Sequence, residues 1–268
     1  MALKLGFIGT GKMAGAIIGG IIGAGLVSPQ GIGVYDVNPC QQESFTRQGC
    51  RAFEDIPSLV SGCGTVFLCV KPQSFPEIMP LVKEGMRPDT LLVSIAAGIT
   101  AQSIKRSVGF DCKIVLAMPN TPLMLGQGAV ALARIEPTTV DEFEQVKSLF
   151  VSVGAAQEID SALMCEVIPV NGSSPAFIYL FAKILIDKAV QTGMDESAAK
   201  NLMIQTLIGS AYMLRDTGFT PDELIDMVCS PGGTTIAALD ELHRQDFTGA
   251  LSAAFDTCVG RAKELSEG

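Results

Sequence analysis

Three observations in the sequence predict an α/β fold, with a doubly wound sheet of the dinucleotide-binding (Rossmann) type followed by an all-helical C-terminal domain. Short apolar runs alternate with helical patterns as far as Asp160, a glycine-rich turn follows the first run, and beyond Asp160 strand-like alternation almost disappears. The domains are therefore expected at 1–160 and 161–268.

The first expected strand is Lys4 to Ile8. Strands follow at Ile32 to Asp36, Thr65 to Val70, Leu91 to Ile95 and Ile114 to Met118, most of them near-continuous apolar runs that suit burial on both faces of a parallel sheet. A further pair, Ala129 to Ala133 and Ala155 to Ile159, flanks a helix expected from Thr138 to Val153. In the second domain helices are expected at Pro175 to Thr192, Glu196 to Asp216, Pro221 to Val228 and Thr248 to Leu265. Thr220 with Glu223 forms a capping-box signal, Pro221 suits the first helical turn, and Gly193 and Gly218 stand where helices end.

The chain has 268 residues, 48% of them hydrophobic, so it can bury a sizeable core. A net charge of −9 supplies no basic footprint and argues against a nucleic-acid partner, leaving a small-molecule substrate as the better fit. Eight cysteines are scattered without a CxxC pair, and His243 is the one histidine, so no metal site is expected. The start of the chain reads as a strand entering a glycine turn, not as a secretory leader, which points to free thiols in a reducing, cytoplasmic setting. Met13 to Val27 is apolar with GxxxG spacing at Gly15, Gly19 and Gly23. At about 15 residues it is short of the ~20 that span a bilayer, so a buried crossover helix pressed on a sheet is expected and no membrane partner.

Gly9-Thr10-Gly11-Lys12-Met13-Ala14 after Ile8 matches the GxGxxG/A fingerprint. Gly9 permits the turn, Gly11 lets the backbone approach a pyrophosphate, and Ala14 lets helix and strand pack closely, while the helix N-terminus offers N–H groups to the anion. Ile8 through Met13 are accordingly cofactor-binding candidates. Asp36 lies about 20 residues further on, where an acid binds the ribose hydroxyls. Its charge favours NADH or dual use, since no Arg or Lys follows before Arg47; the alternative is an Asp that caps the helix at Asn38-Pro39. Val70, Lys71 and Pro72 end one strand, and Ala96, Ala97 and Gly98 follow another, at the carboxyl edge where open α/β sheets bind ligands. There Lys71 supplies charge and the small residues allow close approach, or Pro72 and Gly98 simply break strands.

VKPQ at Val70 to Gln73, MPNTP at Met118 to Pro122, NGSSPAF at Asn171 to Phe177 and CSPGGTT at Cys229 to Thr235 occur in one chain in that order. The combination resembles the pyrroline-5-carboxylate reductase family along essentially the whole chain, SPGGTT being its most specific element. The resemblance implies NADPH- or NADH-dependent reduction of the cyclic imine 1-pyrroline-5-carboxylate to proline. It implies a helical domain that dimerises, giving a homo-oligomer of at least two chains that in many members assembles into a decamer. It also implies that Pro119 and Asn120 contact the cofactor. Substrate-binding candidates are then Asn171, Lys183, Val228, Ser230, Gly232, Gly233, Thr234 and Thr235. Thr235 and Lys71 are the catalytic candidates. Physically, Pro231 to Thr235 begins a helix whose free N–H groups suit a carboxylate, and the Thr235 hydroxyl can bond the ring nitrogen or the carboxylate. A protonated imine is already electrophilic, so no histidine base is required, and His243 reads as a surface residue.

Two positions depart from the family pattern. Leu116 stands where members often carry arginine, and Lys183 where they carry an acid, with Asp187 one turn further on. Lys183 also suggests a β-hydroxyacid dehydrogenase, which uses a helical lysine but lacks the SPGGTT loop. A non-catalytic dinucleotide-binding protein is the other alternative, separable by turnover.

Overall fold

The computed structural model describes residues 3–267. Its strands are β1 (Leu3–Ile8), β2 (Ile32–Tyr35), β3 (Arg51–Ala52), β4 (Cys63–Leu68), β5 (Leu91–Ser94), β6 (Lys113–Pro119), β7 (Gly128–Ile135) and β8 (Gly154–Glu158). They form one sheet in the order β3-β2-β1-β4-β5-β6-β7-β8. The first six run parallel, and their order reverses between β1 and β4, the arrangement of a doubly wound dinucleotide-binding sheet.

The helices of this part are α1 (Lys12–Gly23), α2 (Pro39–Thr46), α3 (Ile56–Gly62), α4 (Phe75–Gly85), α5 (Ala101–Val108) and α6 (Val140–Val151). They cover both faces, which is why the strands read as continuous apolar runs. Leu5, Phe7, Phe67, Val115 and Ala117 point to the α1 and α6 side. Ile8, Val66, Leu68, Ile114 and Leu116 alternate to the α3, α4 and α5 side. Phe7 stacks on Phe67 with centroids 4.5 Å apart, and Phe150 of α6 closes over Phe67 at 6.0 Å. Each of these fully buried rings contributes about 1.5–3 kcal/mol by leaving water.

The structure sets the direction of one strand that the sequence left open and corrects the reading of one helix. β7 runs antiparallel to β6, because the chain returns through residues 120–127 alone, too short a connection for a parallel crossover of a dozen residues or more. The glycines of α1 are also distributed differently. Gly19 and Gly23 have open space in front of them, and the close approach is made by Gly20, where an added Cβ would lie 1.8 Å from Val153 Cγ1. Gly15 faces the Phe45 ring, which an added Cβ would meet at 3.5 Å, but the rest of the GxxxG stripe does not face the packing surface, and Ile17, Ile18 and Ile21 do.

After β8 come α7 (Ser174–Gln191), α8 (Glu196–Asp216), α9 (Pro221–Val228), α10 (Thr234–Arg244) and α11 (Phe247–Glu267). The expected capping box at Thr220 and Glu223 is present, and α8 begins on an Asp195 cap that accepts from Ala198 N–H. The contacts divide the chain into one compact unit that ends at Pro175 and takes in Cys258 onward, and a second of Ala176–Thr257. That differs from a division after Asp160 because residues beyond it pack back on the sheet. Ile168 and Ala262 cluster with Met118 and Ala131, and Lys263 pairs with Glu166 at 2.7 Å.

Among the described residues no helix is long and apolar enough to cross a membrane, and no cluster of His, Cys, Asp and Glu is arranged to hold a metal. All eight cysteines are free. Burial pushes the Cys63 thiol up to about 11 and the Cys69 thiol higher still.

Candidate active site

The first part of the site stands at the carboxyl ends of β1, β2 and β4, around the order reversal. Gly9 N–H donates to the Tyr35 carbonyl at 2.8 Å, and Cys69 N–H to Ile8 at 2.8 Å, so the glycine turn is pinned between its neighbours. Gly9 has φ +90, and a Cβ there would sit 2.6 Å from the Cys69 carbonyl oxygen. Only glycine fits. Gly11 is different: it caps α1 in extended geometry, no side chain caps the helix, and nothing lies within 4 Å of where its Cβ would be. The first N–H groups of α1, on Lys12, Met13 and Ala14, thus face a cradle that any Cβ would begin to fill. This is the geometry a pyrophosphate requires, and a dinucleotide fits it.

Asp36 ends β2 and reaches back to the same turn. Its Oδ2 accepts from Thr10 N–H at 2.7 Å and from the Thr10 hydroxyl at 3.0 Å, and its Oδ1 accepts from Asn38 N–H at 2.9 Å. The helix cap of α2 is Asn38, which accepts from Cys40 N–H, so Asp36 does not cap that helix.

Val70, Lys71 and Pro72 follow β4, with Lys71 exposed. Ala96, Ala97 and Gly98 follow β5 and line a cavity of about 360 Å³ together with Ser94, Leu116 and Met118. The Ser94 hydroxyl is buried without a partner. Gly98 has φ +76, and the atoms an added Cβ would meet are Leu265 Cβ at 2.9 Å and the Ala262 carbonyl at 3.4 Å. The close approach at Gly98 is therefore made by α11. Pro119 is buried at the end of β6. Asn120 donates through Nδ2 to the Asn171 carbonyl and accepts from Ala129 N–H at 2.9 Å. Asn171 Nδ2 donates to the Met118 and Ala129 carbonyls at 2.7 and 3.2 Å. These two buried amides clasp the β6–β7 turn, a function the motifs alone do not reveal. The signal was available: two asparagines in otherwise apolar surroundings need partners, and strand ends have free backbone groups.

The second part lies within the helical unit. Val228 ends α9, and Cys229 to Gly233 lead into α10 through a turn in which Gly233 N–H donates to the Ser230 carbonyl at 2.8 Å. Gly233 caps α10 in extended geometry with no side-chain cap, leaving the N–H groups of Thr234, Thr235 and Ile236 available. A Cβ at Gly233 would meet Ser230 Oγ at 2.5 Å, whereas Gly232, at φ +71, has open space. Thr235 borders an apolar cavity of about 410 Å³ with Met227, Val228 and Leu239. Lys183 is exposed on α7 and paired with Asp187 one turn on. His243 is exposed near the end of α10.

Comparison with known proteins covers both parts. The family model described as pyrroline-5-carboxylate reductase dimerisation matches residues 161–265, and one described as NADP oxidoreductase coenzyme F420-dependent matches residues 4–98. The chain is 36% identical over 268 residues to a pyrroline-5-carboxylate reductase of Escherichia coli, covering 100% of both chains. It is 35% identical over 265 residues to one of Methanosarcina acetivorans, covering 98% of this chain and 97% of the other. A crystal structure of the Plasmodium falciparum pyrroline carboxylate reductase with NADP bound superposes with a TM-score of 0.90 at 28% identity, covering 98% of each chain.

Proposed function

The chain belongs to the pyrroline-5-carboxylate reductase family, and from that premise we propose that it reduces 1-pyrroline-5-carboxylate to L-proline with NADPH or NADH, the last step of proline biosynthesis. The observation that carries this reading is that one chain holds two uncapped, glycine-led helix starts of the right kinds. One is at the order reversal of a doubly wound sheet, and the other is in the sequence Ser230-Pro231-Gly232-Gly233-Thr234-Thr235. Both offer N–H groups to an anion.

When bound, the dinucleotide supplies a hydride for the imine carbon. The residues of this chain bind and orient. Lys12, Met13 and Ala14 N–H groups hold the pyrophosphate, and Gly9, Thr10 and Gly11 keep the turn open for it. Val70 to Pro72 and Ala96 to Gly98 border the same carboxyl edge, where Lys71 adds positive charge. Thr234 and Thr235 N–H groups receive the substrate carboxylate, and the Thr235 hydroxyl holds the ring nitrogen, with Val228 and Ser230 at the flank. We assign Asn120 and Asn171 a positioning role, since the Asn120 amide and the Asn171 Nδ2 hold the β6–β7 clasp, while the Asn171 Oδ1 is buried without a partner. Because the imine is protonated and electrophilic, orientation and electrostatics account for the rate without a dedicated base.

The helical unit leaves Tyr179, Leu180, Ile184, Leu202, Tyr212 and Leu214 exposed, the kind of side chains that mark an interaction surface when they adjoin. With the dimerisation family match, this supports a homo-oligomer of at least two chains, and we extend it to a decamer as in many members of the family. The free thiols support a reducing, cytoplasmic setting.

The test is the oxidation of NADH and of NADPH by purified protein with 1-pyrroline-5-carboxylate, for the native chain and Thr235→Ala. Loss of one substrate hydrogen bond is expected to lower kcat/KM about 10- to 100-fold. A protein that binds dinucleotide yet oxidises neither form refutes the assignment.

A further inference from the structure

The proposed reading leaves open which dinucleotide the chain prefers. A cavity of about 560 Å³ opens beside the carboxyl end of β2, bordered by Asp36, Gln42, Glu43, Glu54 and Phe53. It adjoins the fingerprint turn through Asp36, whose carboxylate already holds Thr10 N–H and hydroxyl. The position is that of the adenosine end of a dinucleotide whose pyrophosphate rests on α1.

The chemistry of the wall is one-sided. Three carboxylates border the cavity, and neither arginine of this segment does. Arg47 is paired with Glu43 at 2.9 Å, and Arg51 lies over the Phe53 ring at 4.8 Å. Gln42 is nine-tenths buried, its Nε2 is spent on the Asp36 carbonyl at 3.0 Å, and its Oε1 has no partner. The wall is therefore rich in acceptors, and the Gln42 Oε1 among them is buried without a donor. Thr10 N–H, the backbone donor nearest in sequence to the turn, is already taken by Asp36. A ribose 2′-hydroxyl brings a donor to this wall. A 2′-phosphate brings only acceptors and close to two negative charges, and meets Asp36 with no cation to neutralise it.

We propose that Asp36, in the acceptor-lined cavity it shares with Gln42, selects the free 2′-hydroxyl, so that this enzyme uses NADH in preference to NADPH. The proposal rests on the dinucleotide-binding reading above. It makes Asp36 a specificity residue with two tasks, shaping the turn through Thr10 and excluding a phosphate through its charge.

Dissociation constants for NADH and NADPH, measured by nicotinamide fluorescence, test it together with kcat/KM for each. The native protein is expected to bind NADH at least about tenfold more tightly, with the gap narrowing at high salt because a charge repulsion is screened. Asp36→Asn keeps an acceptor for Thr10 N–H and removes the charge. It is expected to tighten NADPH binding about fivefold or more while NADH loses a few-fold. Asp36→Ser is the second variant, checked by thermal melting, and should shift the ratio in the same direction. Equal or tighter binding of NADPH by the native protein, or an unchanged ratio in Asp36→Asn, overturns the selectivity proposal while leaving the reductase reading intact. Binding of neither dinucleotide overturns both.

Discussion

Replacing Gly11 by alanine separates the stability of the fold from the capacity to hold a cofactor. Gly11 has φ −68 and ψ −174, a conformation open to any residue, and an added Cβ meets no protein atom within 4 Å. The substitution therefore costs only the difference between glycine and alanine at a helix cap, about 0.5–1 kcal/mol. For a chain of this size that lowers Tm by about 1–4 °C. The same Cβ projects into the space before the α1 N–H groups and keeps an anion from reaching them. Losing one or two charge-assisted hydrogen bonds of about 1.5–3 kcal/mol each weakens binding at least 10- to 100-fold. Gly9→Ala is the control with the opposite signature. There the left-handed backbone costs about 1–2 kcal/mol and the 2.6 Å approach to the Cys69 carbonyl forces a shift of comparable cost, so a fall of about 4–16 °C is expected. Calorimetry and NADH fluorescence on the two variants decide the matter. Tight NADH binding by Gly11→Ala with an unchanged Tm would refute the placement of the pyrophosphate.

Other perturbations test the scaffold. Thr138 is fully buried, and its hydroxyl accepts from Ile114 N–H at 2.8 Å and donates to the Ile114 carbonyl at 3.0 Å. The isosteric Thr138→Val strands both backbone groups and should cost about 2–3 kcal/mol in a urea melt. Burial alone would raise Glu142, but Lys113 and the Thr139 cap outweigh it and hold the carboxyl below its ordinary 4.5. A depressed carboxyl stabilises above its unfolded value and loses that contribution as pH falls through the folded one. The advantage of the native chain over Glu142→Gln, about 1 kcal/mol near neutrality, should therefore vanish on acidification below pH ~4.5. Gly20→Ala should destabilise by about 1–3 kcal/mol and be relieved by Val153→Ala, whereas Gly19→Ala, facing open space, should stabilise by up to about 1 kcal/mol through helix propensity.

How legible these features were depends on whether a residue's role is local. The β1 turn, the capping box at Thr220 and the span Glu196–Asp216 are set by neighbours in sequence, and the structure has them where the periodicity predicts. The direction of β7 depends on whether the short connection after β6 can cross the sheet, which an apolar pattern does not encode. Gly98 reads as a strand breaker or a cofactor contact, and its actual neighbour, α11, comes from the far end of the chain. Asn171 reads as a substrate ligand by motif. The clasp it makes on Met118 and Ala129 depends on contacts across more than forty positions. Asp36 is the intermediate case: its position announced a ribose contact, but the hold on Thr10 required coordinates.

The two departures from the family pattern carry different physical weight. Leu116 is 5% exposed and packs with Ile114, Leu68 and Leu92 on one face of the sheet while bordering the cavity under Ala96 and Gly98. An arginine there would need a buried partner, and Glu166, whose Oε2 is buried without one, already pairs through its other oxygen with Lys263. In this chain the position contributes shape and apolar contact, so Leu116→Arg should lower stability rather than restore a lost contact. Lys183 sits in water, and its pairing with Asp187 cancels its charge within one turn of α7. Replacing Lys183 by alanine removes a surface ion pair of at most about 0.5 kcal/mol and leaves Asp187 without that partner on the same face. If the helix must present an acid toward a cationic ring, Lys183→Ala should lower KM for the imine without changing the affinity for NADH. An unchanged KM would show that Lys183 does not oppose substrate binding through its pairing with Asp187.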